Sequence, residues 1–159
     1  MKNPTETWSL DREIVLAKLL NHPRDKVFAA WTNPDALAKW YGPEGLDIET
    51  KEADIREGGV WRFDMVGTFE GKPQRFENHV RFLEIVPNER IVMDYGTPDP
   101  NDPERFRMTV TFDEQSDGKT VVTLRQLHPT RERRLAVIGF GAVEYGLQTL
   151  EGLAVWLDS

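Results

Sequence analysis

Apolar and polar positions change their period along the chain, and the changes divide it into elements. Arg12 to Leu20 holds a run of Ile, Val, Leu and Ala with Lys18 inside it, which predicts a strand buried on both sides or nearly so. Asn21-His22-Pro23 stops it. Pro23 suits a first helical turn, after which Val27, Phe28 and Trp31 share one face of a short helix. Asn33 is placed to cap a second helix and Pro34 to open it; Leu37, Trp40 and Tyr41 form its face before Gly42-Pro43 ends it.

From Leu46 to His128 the period falls to two, with turn signals at 57–59, 70–73, 87–89 and 116–118, so five or six antiparallel strands are expected. Trp61, Phe63 and Met65 alternate with Arg62 and Asp64. Phe106, Met108, Val110 and Phe112 alternate with Arg107, Thr109 and Thr111, so one face of the sheet is dry. Val122, Leu124, Gln126 and His128 form the inner row of the last strand, and its polar end suggests that the strand runs toward an opening. The stretch from Gly96 to Pro103, with three prolines, reads as a stiff exposed loop at one rim.

Helical spacing returns from Thr130, a plausible cap, to Leu157. Leu135, Phe140, Val143, Leu147, Leu150, Ala154 and Leu157 make one stripe of a single long helix. Gly139, Gly141, Gly146 and Gly152 fall within it and together forfeit about 3–4 kcal/mol of helix propensity. Close approach to a sheet, or unfilled volume opposite large aromatics, would offset that. The order of elements predicts an α+β helix-grip fold: a curved antiparallel sheet wrapped around a long C-terminal helix, with two short helices after the first strand.

Composition narrows the function. The 159 residues fit one domain, 1–159, and contain no Cys, which removes disulfides and thiolate chemistry and fits a cytoplasmic location. The longest apolar run, Leu135 to Val143, is too short to span a membrane. A net charge of −7 argues against nucleic-acid and anionic-membrane partners. Five Trp in so polar a chain are conspicuous; Trp8 and Trp156 near the termini have no predicted place.

Several segments together carry a resemblance. They are Pro23 with Val27-Phe28-Ala29-Ala30-Trp31-Thr32, Leu37 with Trp40-Tyr41-Gly42-Pro43, and Gly58-Gly59 before Phe63 and Met65. Ile85-Val86-Pro87, Glu89-Arg90-Ile91, Phe140-Gly141-Ala142-Val143-Glu144 and Leu150, Leu153, Leu157 continue it. In order and spacing, from about Ile14 to Leu157, the chain resembles the homologues of the activator of heat-shock protein 90 ATPase, within the START-like (SRPBCC, birch-pollen-allergen-like) superfamily. The resemblance implies an apolar cavity between sheet and C-terminal helix, of the kind that holds lipids, hormones and polyketides. The eukaryotic activator adds an N-terminal domain that engages the chaperone, for which a single domain of this length leaves no room. His22 departs from the small residue more often found before that proline.

The expected ligand contacts are Trp40, Trp61, Phe63, Met65, Tyr95, Phe106, Met108, Gln126, His128, Phe140, Val143, Glu144 and Leu147. The alternative for the aromatic members is ordinary core packing. His22, His79 and His128 lack zinc-site spacing, and no phosphate loop, dinucleotide fingerprint or nucleophile elbow occurs, so no metal, cofactor or catalytic residue is assigned. Tyr95, Gln126, His128 and Glu144 are the groups that acid–base chemistry would have to use, with Arg125 or Arg81 as a structural partner for Glu144. Arg131, Arg133 and Arg134 stand where the helix dipole disfavours cations; pairing with Glu132 and other acids explains them better than an anionic ligand head or a partner protein. The leading expectation is a binding protein for a hydrophobic small molecule, without turnover. The alternatives are a cyclase-like, aromatase-like or hydrolase-like enzyme using the same pocket, and a chaperone co-factor module; a homodimer stays open.

Overall fold

In the computed structural model, which describes residues 10–159, a short 3-10 turn at Leu10–Arg12 leads into strand β1 (Glu13–Leu20). Helices α1 (Arg24–Thr32) and α2 (Pro34–Trp40) follow. Six strands come next: β2 (Leu46–Ala53), β3 (Val60–Phe69), β4 (Lys72–Val86), β5 (Arg90–Gly96), β6 (Phe106–Glu114) and β7 (Thr120–Leu127). Helices α3 (Arg131–Gly139) and α4 (Ala142–Asp158) end the chain. The seven strands form one antiparallel sheet in the order β1-β7-β6-β5-β4-β3-β2, curved around α4 in the expected α+β helix-grip arrangement. Trp8 lies outside the described residues.

Local chemistry sets the helix ends. The Asn33 side chain accepts from the Asp35 amide at 3.0 Å and Pro34 opens α2; the Thr130 hydroxyl accepts from the Arg133 amide at 3.0 Å and caps α3. Both caps stand where the sequence predicts them.

Two expectations need correction. β1 is an edge strand buried on one face only: Ile14, Leu16 and Leu20 point inward, while Val15 and Leu19 are exposed. An unbroken apolar run cannot distinguish an edge strand from a central one. The single C-terminal helix is two. Gly141 has φ +99°, a left-handed conformation costly for residues with a Cβ, and it separates α3 from α4. Within α4 the inward row is Thr149, Leu150, Leu153 and Leu157, a face rotated from the predicted stripe, and Leu135, Phe140 and Leu147 of that stripe are exposed.

The core sits between the inner face of the sheet and the leucines of α4, with Val27, Trp31, Leu37 and Trp40 of α1 and α2 closing one end. Trp40 Nε1 donates to the Ala30 carbonyl at 3.0 Å, locking the two short helices together. Gly152 lets α4 lie against the end of α2: a Cβ there would stand 2.7 Å from the Trp40 carbonyl oxygen. On the outer face Asp64 is buried beneath Arg75 and Lys51, whose atoms approach its carboxylate to 2.5 and 3.2 Å. Burial alone would raise its pKa, but those two hydrogen bonds outweigh it and the net shift is downward.

The glycines of the last two helices are therefore not equivalent. A methyl group added at Gly139 would meet open space, so Gly139→Ala should be neutral or stabilise by up to about 1 kcal/mol. Gly152→Ala must push backbone apart and should destabilise by about 1–2 kcal/mol even after the gain in helix propensity. Urea unfolding of the two variants checks the contrast.

Candidate functional site

Strand register assembles the inner face of the sheet, part of which is the floor of the site. Trp61, Val80, Tyr95 and Phe106 are cross-strand neighbours from β3 to β6, and Phe82, Met93, Met108, Gln126 and Ile14 form the next row from β4 to β1. The rings make a continuous series of contacts. Tyr41 packs edge-on to Trp61 (5.2 Å between centroids) and Phe63 (5.9 Å), Tyr95 stacks on Phe106 (5.1 Å), and Phe106 lies against the His128 imidazole (4.8 Å).

Above this floor the residues facing inward from α4 are large at one end and small at the other. Leu150, Leu153 and Leu157 fill their half, whereas at the other end Ala142 and Thr149 are short and Gly146 packs against Leu16 of β1. The difference leaves a cleft of about 420 Å³, within the range of small-molecule sites. Its floor includes Met65, Tyr95, Phe106, Met108 and Leu124; Phe69, Phe76 and Tyr145 form one side of the mouth, and Val137 of α3 with Phe140 just beyond it the other. Phe140 is 69% exposed.

The structure brings Met65, Tyr95, Phe106, Met108, Gln126, His128 and Phe140 of the expected set to the cleft. It puts the others elsewhere. Trp61 and Phe63 stack on each other at 3.8 Å in the dry core behind Tyr41, and Trp40 packs against Trp31. Val143 is half-buried but off the wall, and Glu144 and Leu147 are exposed because the buried face of α4 runs through Thr149, Leu150 and Leu153. Among the described residues no carboxylate lines the cleft.

Tyr41, Phe69, Phe76, Asn78, Arg133 and Tyr145 are wall residues that sequence reasoning missed. Phe69 was legible as the continuation of the Trp61, Phe63, Met65 alternation, and Phe76 as the cross-strand partner of Met65. Tyr145 lies one turn before the buried Thr149 and so on the inward side of α4.

Polar groups cluster at the β7 and α3 end. His128 is 2% exposed; its Nε2 meets Gln126 Oε1 at 3.0 Å, while its Nδ1 has no hydrogen-bond partner. Burial, and then the nearby Arg133 and Arg134 cations, lower its pKa to about 4, so the ring is neutral near pH 7. Arg133 reaches Glu104 of the rim loop at 3.0 Å, and Arg134 Nε donates to the Glu13 carbonyl at 2.7 Å; both arginines thus find partners other than Glu132. The Tyr41 hydroxyl donates to that of Tyr95 at 3.4 Å. Burial pushes the Tyr41 pKa up to about 12 and that of Tyr95 well above its usual value, so both remain neutral phenols.

His128 makes the fold acid-sensitive in a defined window. Unfolded, it takes up a proton below its ordinary pKa of 6.5, but in the fold it stays neutral until about pH 4. Its stabilising contribution is therefore complete above pH 6.5 and is lost as pH falls toward 4. Between pH 7 and 4.5 the wild type should lose about 2–3 kcal/mol more than His128→Gln. Urea titrations of both proteins at the two pH values measure the difference.

Comparison with known proteins places this geometry among relatives. Over residues 21–158 the chain matches the family model described as Activator of Hsp90 ATPase homolog 1-like protein. No curated protein matches it. A solved structure from Nitrosomonas europaea is 23% identical, with a TM-score of 0.82, over 95% of this chain and 97% of that one. One from Chromobacterium violaceum is 28% identical, with a TM-score of 0.75, over 94% and 99%. A protein of Arthrobacter aurescens shares the fold at 16% identity and a TM-score of 0.83, over 96% and 89%. With α1 through α4 inside the matched segment, the chain belongs to the family of Activator of Hsp90 ATPase homolog 1-like proteins.

Proposed function

We propose that this chain is a cytoplasmic binding protein for a hydrophobic small molecule, held without turnover between the sheet and the C-terminal helices. The observation that carries the reading is the cleft of about 420 Å³, walled by Met65, Tyr95, Phe106, Met108 and Leu124, with its few polar groups gathered at one end. Burying ten methylenes at about 0.8 kcal/mol each gives a gross gain of about 8 kcal/mol. After the losses of association this corresponds to affinity no better than micromolar.

The character of the polar groups favours holding over chemistry. Proton transfer near neutral pH calls for a group titrating nearby. His128, at about 4, is a weak base there, and Tyr41 and Tyr95 are weak acids. Glu144, the one carboxylate among the residues considered for acid–base work, is outside the cleft. A chaperone partner is a property of the family name, and it separates from the small-molecule reading by experiment: such a partner would still bind with the cleft filled.

A ligand at 100 times its Kd stabilises the fold by about 2.7 kcal/mol, which for a chain of this size raises Tm by about 5–10 °C. Screening a library of apolar compounds by thermal shift should yield such ligands. Val137→Trp, which fills the cleft from an element with no buried residue, should abolish the shifts while leaving the unliganded Tm within about 3 °C. Absence of any stabilising compound, together with no small molecule in denaturing mass spectra of fresh preparations, would reject the proposal.

A further inference from the structure

The polar atoms on the cleft wall fall into two groups. Several are already committed: Asn78 Nδ2 donates to the Phe76 carbonyl at 3.1 Å, and the Thr149 hydroxyl to the Tyr145 carbonyl at 3.0 Å. Gln126 Oε1 is taken by His128. Two buried atoms of wall residues have no partner, His128 Nδ1 and Arg133 Nε. A buried polar atom without a hydrogen bond is costly, and a position that keeps two of them on one cleft is ready for a ligand that satisfies both.

Their chemistry is complementary. With Gln126 Oε1 as acceptor, His128 carries its proton on Nε2, which leaves Nδ1 as a bare lone pair that needs a donor. Arg133 Nε is an N–H and needs an acceptor. The charge of Arg133 is already met by Glu104 at 3.0 Å, so the site does not call for an anion. A carboxylate would also set an oxygen lone pair against that of Nδ1. An ether or ketone would satisfy Arg133 and leave His128 bare. A hydroxyl serves both, its O–H donating to Nδ1 and its oxygen accepting from Nε. The ring of Phe106, 4.8 Å from the imidazole, gives the adjoining part of the molecule an aromatic surface.

We propose that the ligand carries a neutral donor–acceptor head group, in its simplest form a hydroxyl, seated between His128 Nδ1 and Arg133 Nε with its apolar body along the cleft. This deepens the binding reading above and rests on it. The two are separable with three probes of one shape: 2-naphthol, 2-methoxynaphthalene and 2-naphthoate, each titrated by calorimetry at pH 7.5. Wild-type protein should bind 2-naphthol about tenfold or more tightly than 2-methoxynaphthalene, which accepts but cannot donate. Arg133→Met removes a donor that both probes use and should weaken both alike, whereas His128→Phe, which removes the lone pair that only the hydroxyl can satisfy, should bring the two within about threefold. Glu104→Gln, which removes the ion pair but keeps Nε–H, should preserve the preference for naphthol; its loss there would make the effect one of α3 placement and overturn the assignment. Equal binding of all three probes by the wild type overturns the head-group proposal and leaves the binding cleft standing. Tightest binding of 2-naphthoate by about tenfold overturns it in favour of an anion. Failure of all three to bind, with the folded state intact by circular dichroism, counts against the cleft as well.

Discussion

The contact of Tyr41 with the Trp61 and Phe63 rings is the point on which the rest of the molecule turns. Tyr41 ends α2, packs edge-on against both rings of β3, and stands beside Trp31 and Trp40 at 5.9 and 5.5 Å. Through it the paired short helices are fixed to the sheet, and the same ring forms part of the cleft wall. Edge-on aromatic pairs contribute about 0.5–1.5 kcal/mol each beyond their burial, and they are directional. The contacts therefore hold the helices at a set angle, which in turn places the Trp40 carbonyl where only Gly152 can pass it. The height of α4 above the sheet follows from that meeting, and with it the space left where α4 turns to small residues.

The polar end of the cleft is built by a different device. His128 sits at the top of the inner row of β7, and the backbone holds it there: its amide donates to the Arg12 carbonyl at 2.9 Å, with the Arg12 guanidinium 3.4 Å from its own carbonyl. Arg133 and Arg134 approach from α3. Burial first, and the neighbouring cations after it, keep the imidazole neutral, so one of its ring nitrogens remains an acceptor.

How much of this could be read in the chain depends on the range of the cause. Caps at Asn33 and Thr130, the two short helices, the alternating strands and the inward row ending in Gln126 and His128 are set by neighbours in sequence, and all appear as expected. Misplacements share another origin. Burial of β1 on one face depends on its being the edge of the sheet, and the break between α3 and α4 depends on one left-handed glycine. A stripe that follows the apolar Val143, Leu147 and Ala154 misses the true inward face of α4, which includes Tyr145 and Thr149. Trp61 and Phe63 are inward as their alternation requires, but whether an inward ring meets solvent space or another ring is decided by Tyr41, far away in the sequence.

The break at Gly141 also assigns different duties to the two halves of what looks like one helix. α4 carries the fully buried leucines and cannot leave without dismantling the core. α3 has no buried residue; it is tied down by the Thr130 cap, the Arg134 bond to Glu13 and the Arg133 pair with Glu104, supplemented by the half-buried Val137 and Ile138. Exposed polar ties hold less than apolar burial, so α3 is the cheaper of the two helices to release. Since Arg133 and Val137 lie on it, the cover that opens at least cost is the one that bears an unpartnered Nε–H of the site. A group that satisfied this atom and His128 together would bind α3 to the sheet, making occupancy of the cleft and closure of its cover a single event.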